Sequence, residues 1–375
     1  MRKALFAAAL FATAAMTAMP VAAEMNFGNA RPNPVKPFVE TPVATFNFPW
    51  AIAFLPDGHM LITEKPGKIF LVSQTGQKQE VSGVPAVQYE GQGGLLDVAI
   101  SPHYAADHQV YISYSEPGEG GSSLAVARAT LKGTALEGLK VIWRQMPKGD
   151  GGQFGGIITF DPAGRHILFA SGERMRKTPA QDPDQALGKI IRLNLDGSVP
   201  TDNPMYAEGG VKAQTWTTGH RNPYGLAYDA KGTLWEVEMG PKGGDELNII
   251  TPGKNYGWPT VSNGINYDGS PIPPHDTRPE FEKPVVYWTP VIAPAGLAFY
   301  YKSLFPQWKG SAFIGGLKAM SLVRVAFDGP NGAREADRWD MGHRIRDVAV
   351  GPDGAVWVIE DEDAGRLIKL TPKKK

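Results

Sequence analysis

The chain of 375 residues contains no cysteine. That excludes a disulfide framework, a thiolate nucleophile and any metal site built on Cys. In an exported protein the same absence suits a bacterial periplasm. Excess charge of either sign is also missing, since 38 Lys and Arg face 38 Asp and Glu. A balanced chain argues against nucleic acid or an anionic membrane as the main partner. Helical periodicity is scarce, and segments with some helix tendency, such as AQDPDQALGKI, are short. One long apolar run exists, MRKALFAAALFATAAMTAMPVAA at residues 1–23. Its two leading cations, apolar middle and small-x-small end read as a secretory signal peptide cleaved after Ala23. Met19-Pro20 interrupts the run, which argues against a membrane anchor. The expectation is one exported domain over residues 24–375, periplasmic and without stable membrane insertion.

Glycine and proline are plentiful instead, at 44 and 32 residues, about a fifth of the chain. That share lies below the roughly 25–30% of disordered low-complexity sequence. Among many short apolar runs it signals tight turns. One unit recurs six times: a short apolar strand, a turn, and a second strand. It begins at Ala51 (AIAFLPDGHMLITE), Asp97, Gly156, Gly225, Gly296 and Asp347 (DVAVGPDGAVWVIED). Pro-Asp-Gly, Pro-Ala-Gly or Ala-Lys-Gly supplies the fixed and the positive φ that reverses the chain in most copies. The starts lie roughly 46 to 71 residues apart, room for one four-stranded sheet and variable loops. The pattern predicts an all-β, six-bladed β-propeller, with Val43–Phe48 closing the ring against the C-terminal blade.

In a propeller the inner strands border a central channel, so the residues just before them converge on one mouth. Here they are Gln92, Gln153, His220, Arg221, Asn222, Arg344 and Arg346. Each alone could be a capping residue or a loop charge. Several cations converging on one point repel one another unless an anion lies between them. Arginine suits planar carboxylates, so this mouth predicts a flat, polyanionic ligand.

On these residues the sequence resembles the soluble, pyrroloquinoline-quinone (PQQ)-dependent aldose dehydrogenases of the glucose/sorbosone dehydrogenase family. The resemblance runs from PWAIAFLPDGHMLITEKPGKIFLV at Pro49 to RIRDVAVGPDGAVWVIEDEDAGRLIKL at Arg344, and its most specific part is Gly219 to Pro259. It implies PQQ, a tricyclic ortho-quinone with three carboxylates, beside Ca²⁺. It makes Arg221, Asn222, Lys318, Arg344 and Arg346 cofactor contacts and puts Gln92 next to both quinone and sugar. The carbonyls of Gly240 and Pro241 resemble the calcium ligands, hard oxygens of the kind Ca²⁺ takes. Asp245, Glu246 and Tyr256 lie where some members bind a further calcium, although loop hydrogen bonding explains them equally. The implied partners are an aldose sugar and an electron acceptor.

One position departs from the family. In GGQFGG, Gln153 stands where members carry a His that takes the proton of the anomeric hydroxyl. An amide cannot hold a proton at neutral pH, and losing a positioned base costs roughly 10²–10⁴-fold. Glu173 matches the acid that orients this His and could accept the proton instead, or pair with Arg174 or Arg176. His220 is the other imidazole nearby and reads as structural. Three readings stand: a working aldose dehydrogenase, a propeller that binds PQQ or sugar with little turnover, and a metal-dependent sugar lactonase, which the Arg-rich mouth disfavours.

Overall fold

The computed structural model describes residues 25–327, 329 and 332–373; the expected signal peptide lies outside them. Six sheets follow one another around a ring, each starting with an inner strand that carries one of the six repeats. Those inner strands are Pro49–Phe54, Leu95–Ile100, Gly155–Phe160, Pro223–Tyr228, Pro294–Tyr300 and Ile345–Val350, which define blades 1 to 6. Each pairs antiparallel with the next strand in sequence. The reversal in blades 1 and 6 is the Pro-Asp-Gly turn, where Gly58 and Gly354 hold φ at +89° and +86°. A side chain there would be strained, which is why glycine ends the motif.

The ring closes as the sequence predicts, over a longer strand pair. Phe38–Phe46 is the outer strand of blade 6 and pairs with Gly365–Pro372. The segment before it continues as a strap along neighbouring blades. Asn26–Gly28 adds a parallel strand to Val286–Trp288 at the edge of blade 4, and Asn33 bridges to Trp339 on blade 5. Among the described residues no helix is long and apolar enough to cross a membrane.

A feature absent from the sequence reading recurs in all six blades. The pairing of inner with second strand slips near its start, between Pro49 and Ile52, Leu95 and Val98, Gly155 and Ile158, Pro223 and Gly225, Ala295 and Ala298, and Ile345 and Asp347. Such bulges bend a strand and re-aim the side chain they carry. The extra residues include Trp50, Tyr224 and Arg346, and all three face one cavity.

The bulges free backbone groups, and neighbouring blades use them. Thr63 Oγ1 accepts from Ala51 N–H and donates to Leu96 O of blade 2 at 2.7 Å. Asp97 Oδ2 accepts from Ile158 N–H of blade 3 at 2.6 Å. Asn222 Oδ1 accepts from Gly155 N–H, and Asp245 Oδ2 from Ala293 N–H. Asp347 Oδ2 accepts from Ile52 N–H at 2.8 Å, latching blade 6 to blade 1. The latches satisfy amides that the bulges would otherwise leave orphaned in a dry interior. Apolar clusters fill the space between blades, the largest joining Leu95, Tyr111, Leu124, Phe154 and Phe169.

Candidate functional site

The central cavity holds about 290 Å³. Two repeated positions build it. One is the bulge of the inner strand, which contributes Trp50, Tyr224 and Arg346 from blades 1, 4 and 6. The other follows a buried glutamate that ends the second strand of the same blades: Glu64, Glu238 and Glu360. After them come Lys65, Met239 and Asp361, and each lines the cavity. The glutamates anchor backbone, accepting from the N–H groups of Asn47, Arg221 and Arg366. Gln92 and Arg344 complete the polar wall.

The charges are unbalanced. Asp361 Oδ2 receives Arg344 Nη2 and Arg346 Nη2, each at 2.7 Å. Burial would raise this carboxyl, but Arg346 and Arg344 hold it at about 2. Lys65 donates to Gly91 O at 3.1 Å and forms no ion pair among the described residues. Burial, followed by the like charge of Arg346, lowers its ammonium. Three cations thus meet one carboxylate. Arg346 Nε and Asp361 Oδ1 are buried with no hydrogen-bond partner, a costly state that a polar ligand relieves.

The anion inferred from the mouth composition is therefore in part supplied by the protein. Asp361 had no place in the sequence reading, and neither did Lys65, Trp50, Tyr224 or Met239. A signal for three of them was present, because ITEK, EVEM and VIED align at the same place in their repeats.

The remaining sequence-derived positions divide as follows. Gln92, Arg344 and Arg346 line the cavity. Arg221 lies next to it, sharing Met239, and its Nη1 donates to Met239 O and Gly240 O, each at 2.9 Å. Its Nε is buried and unpaired. Asn222 is committed to the latch between blades 3 and 4. Lys318 is exposed on the turn after Leu317 and does not line the cavity. His220 is fully buried between Thr217 and Glu238 and stacks on Tyr256, in agreement with a structural role.

Gln153 is 4% exposed and holds a φ of +55°, unusual for a side chain of its size. Its N–H donates to Gln92 Oε1 at 2.8 Å, and its own Oε1 is buried without a partner. Glu173 is buried, and burial raises its carboxyl above the ordinary range. The proposed pairing with Arg174 or Arg176 does not form. Glu173 Oε2 instead accepts from Lys177 N–H, while Arg174 is spent on backbone carbonyls.

Of the candidate metal ligands, Gly240 offers a carbonyl that the Arg221 guanidinium covers, so a cation there requires that side chain to turn away. Glu246 and Tyr256 meet at a small cavity of about 10 Å³, with Glu238 and Ser262. Glu246 Oε1 lies 3.0 Å from His275 Nε2. Asp245 accepts from Gly240 and Ala293 N–H groups and acts as a backbone latch.

A family model described as glucose/sorbosone dehydrogenase matches residues 46–369. Aldose sugar dehydrogenase YliI of Escherichia coli is 41% identical over 337 residues, covering 87% of this chain and 90% of that protein. The apo-form crystal structure of the soluble E. coli aldose sugar dehydrogenase superposes with a TM-score of 0.84 at 40% identity, over 90% of this chain and 100% of that one. The PQQ-bound aldose sugar dehydrogenase of Streptomyces coelicolor does so with 0.74 at 31%, over 91% and 100%.

Proposed function

Because the chain belongs to the glucose/sorbosone dehydrogenase family, we propose that it oxidises the anomeric carbon of aldose sugars to lactones, with PQQ in the central cavity as hydride acceptor. The observation that carries this reading is the surplus of two cations in a cavity that also buries an unpaired Arg346 Nε. A planar tricarboxylate fits that chemistry, and a PQQ-bound relative supports it. When bound, PQQ supplies a quinone that takes up a hydride. The chain's own residues do the rest. Lys65, Arg344 and Arg346 would hold the carboxylates of PQQ, and Asp361 keeps the two arginines in place, while Arg221 stays beside the cavity with Nη1 on the Met239 and Gly240 carbonyls. Trp50 and Tyr224 pack edge to face as apolar wall, their ring centroids 5.6 Å apart.

The sugar must lose a hydride from C1 and a proton from the C1 hydroxyl. Gln153 cannot keep that proton, and with its Oε1 buried outside the cavity lining it does not reach the hydroxyl in this arrangement. Glu173, with its raised carboxyl, is the nearby acid in the sequence frame that can take it through solvent, since Glu173 does not line the cavity. Calcium is part of the same proposal, at Glu246 and Tyr256 with Glu238 alongside; neighbouring Glu236, whose carboxyl burial and Glu238 push well above the ordinary range, keeps its proton and adds no charge. The covered Gly240 carbonyl fits a cation less well in this arrangement, and no step is routed through it. Export to the periplasm rests on residues 1–23 alone.

The test is dye-linked oxidation of several aldoses by protein loaded with PQQ and Ca²⁺, with Gln153→His beside the parent. Turnover by the parent is expected, with the His variant faster by roughly 10²-fold. If the variant alone turns over, the chain binds its cofactor without efficient catalysis. If both take up PQQ and neither reduces dye, the dehydrogenase reading is wrong.

A further inference from the structure

The reversal that follows each inner strand lies at the far end from the central cavity. In blade 4 it is Ala230-Lys231-Gly232 after Pro223–Tyr228, and in blade 5 a longer loop that closes with Lys309-Gly310 after Pro294–Tyr300. The 6 residues of the blade 4 strand put its tip roughly 20 Å from the cavity mouth. In both blades a lysine precedes the positive-φ glycine, Gly232 at +82° and Gly310 at +84°. Blades 1 and 6 carry Asp57 and Asp353 at that place, and blade 3 carries Ala163. The turn therefore does not require a cation, yet two adjacent blades both present one.

Both lysines line a groove of about 400 Å³ at the junction of the two blades. Four aromatic rings line it too, Trp235 from blade 4 and Phe299, Tyr301 and Phe327 from blade 5. Trp235 meets Phe327 edge to face with ring centroids 4.9 Å apart, and Phe299 and Tyr301 lie within 13° of parallel. Hydrogen bonds fix two of the rings. Asp229 Oδ2 accepts from Trp235 Nε1 at 3.1 Å, and the Tyr301 hydroxyl accepts from Ala230 N–H at 2.9 Å, across the junction. Tyr301 nevertheless stays 39% exposed. The other charges of the lining are spent: Asp229 Oδ1 accepts from the Lys231 and Thr233 N–H groups, and Arg324 is held by Asp337 and Ser311. Lys231 and Lys309 are exposed and form no ion pair among the described residues.

We propose that this groove is a second ligand site, separate from the central cavity, and that it binds a small, flat aromatic carboxylate. Two unpaired ammonium groups beside rings held in place match a molecule that offers both a plane to stack and an anion to pair. Rings already fixed lose little freedom when the ligand arrives. The volume lies in the range of ligand sites, about 300–1,000 Å³. A neutral sugar would leave both lysines unpaired, and an aliphatic acid would leave the ring faces without a stacking partner. The site does not depend on the aldose-oxidation reading and stands or falls by itself.

Isothermal titration of the purified protein with indole-3-acetate should give saturable binding, with a Kd on the order of 0.1 mM for a ligand of this size. Two comparison probes separate the contributions: indole-3-ethanol keeps the ring without the charge, and cyclohexylacetate keeps the charge without the aromatic plane. Each should bind roughly tenfold more weakly. The double variant Lys231→Glu, Lys309→Glu should weaken indole-3-acetate at least roughly tenfold with an unchanged urea midpoint, because both side chains are exposed on turns, and Lys231→Arg with Lys309→Arg should keep the affinity. Raising the salt should weaken binding to the parent and not to the Glu variant. Absence of saturation overturns the proposal. So does binding that the Glu variant leaves unchanged, since the acid then sits elsewhere, as in the cationic central cavity. Equal affinity for either comparison probe overturns the assignment of an aromatic carboxylate.

Discussion

Asp97 gives the most direct quantitative test of the blade latches. It is buried on the inner strand of blade 2, and burial, with the negative charge of Asp347 second, pushes its carboxyl from 3.8 up to about 8. A folded-state pKa above the unfolded value means the folded chain binds the extra proton. The associated stability is therefore complete below pH ~4 and lost as pH rises toward ~8. The slope is about 1.4 kcal/mol per pH unit, so ionising Asp97 costs the fold about 4 kcal/mol at pH 7. Asp347 is raised to about 7 and acts with the same sign. Asp97→Asn keeps an acceptor for Ile158 N–H and cannot ionise, but it turns an amine toward the Val98 N–H that the carboxylate also accepts. That mismatch costs about 1–3 kcal/mol at every pH. The variant should therefore be no more stable than the parent at pH 5 and more stable by about 2–4 kcal/mol at pH 8. Urea unfolding followed by tryptophan fluorescence at pH 5 to 8 and fixed ionic strength measures both curves. Parallel curves, or a parent whose midpoint rises steadily toward pH 8, would show that Asp97 is not held protonated.

Other expectations follow from the same geometry. Lys65→Met removes one of three cavity cations and should weaken PQQ binding by roughly tenfold or more, with a shallower salt dependence, read from quenching of protein fluorescence; Lys65→Arg should restore it. Lys318→Met should change that affinity less than Lys65→Met, because Lys318 is exposed outside the cavity lining, and the opposite ranking would reinstate it as the main carboxylate contact. Thr63→Val strips the latch to Leu96 and leaves Ala51 N–H unpaired, at a cost of about 1–3 kcal/mol in the urea midpoint with little change in the far-UV spectrum.

Much of the fold was legible because a propeller repeats its instructions. The apolar inner strands and the Pro-Asp-Gly reversals rest on local chemistry that a single sequence displays, and the closure at Val43–Phe48 follows from the ring that they imply. The site was legible only where its residues come just before the recognised repeats, as Gln92, Arg344 and Arg346 do. Trp50 and Tyr224 lie inside their strands and reach the cavity through bulges, and a bulge is a slip between two strands that no single strand announces. Asp361 was missed for another reason. Counting cations at the mouth treats charge as a property of one loop, whereas the counter-ion comes from the far end of the second strand, fifteen residues beyond Arg346. Glu173 shows the converse limit, because its partner, the Lys177 N–H, is a backbone group that side-chain matching cannot weigh.

The strap from Asn26 to Phe46 ties an early segment to the edges of blades 4, 5 and 6, all encoded later. A chain emerging from its amino end must keep that segment uncommitted until nearly everything else has been made. Any product stopped within blade 5 or 6 exposes two raw sheet edges, one at each side of the gap. Ring closure thus acts as a completeness check, since a fragment lacking its last strand, Gly365–Pro372, has nothing for Phe38–Phe46 to join and presents a sticky template for aggregation and proteolysis.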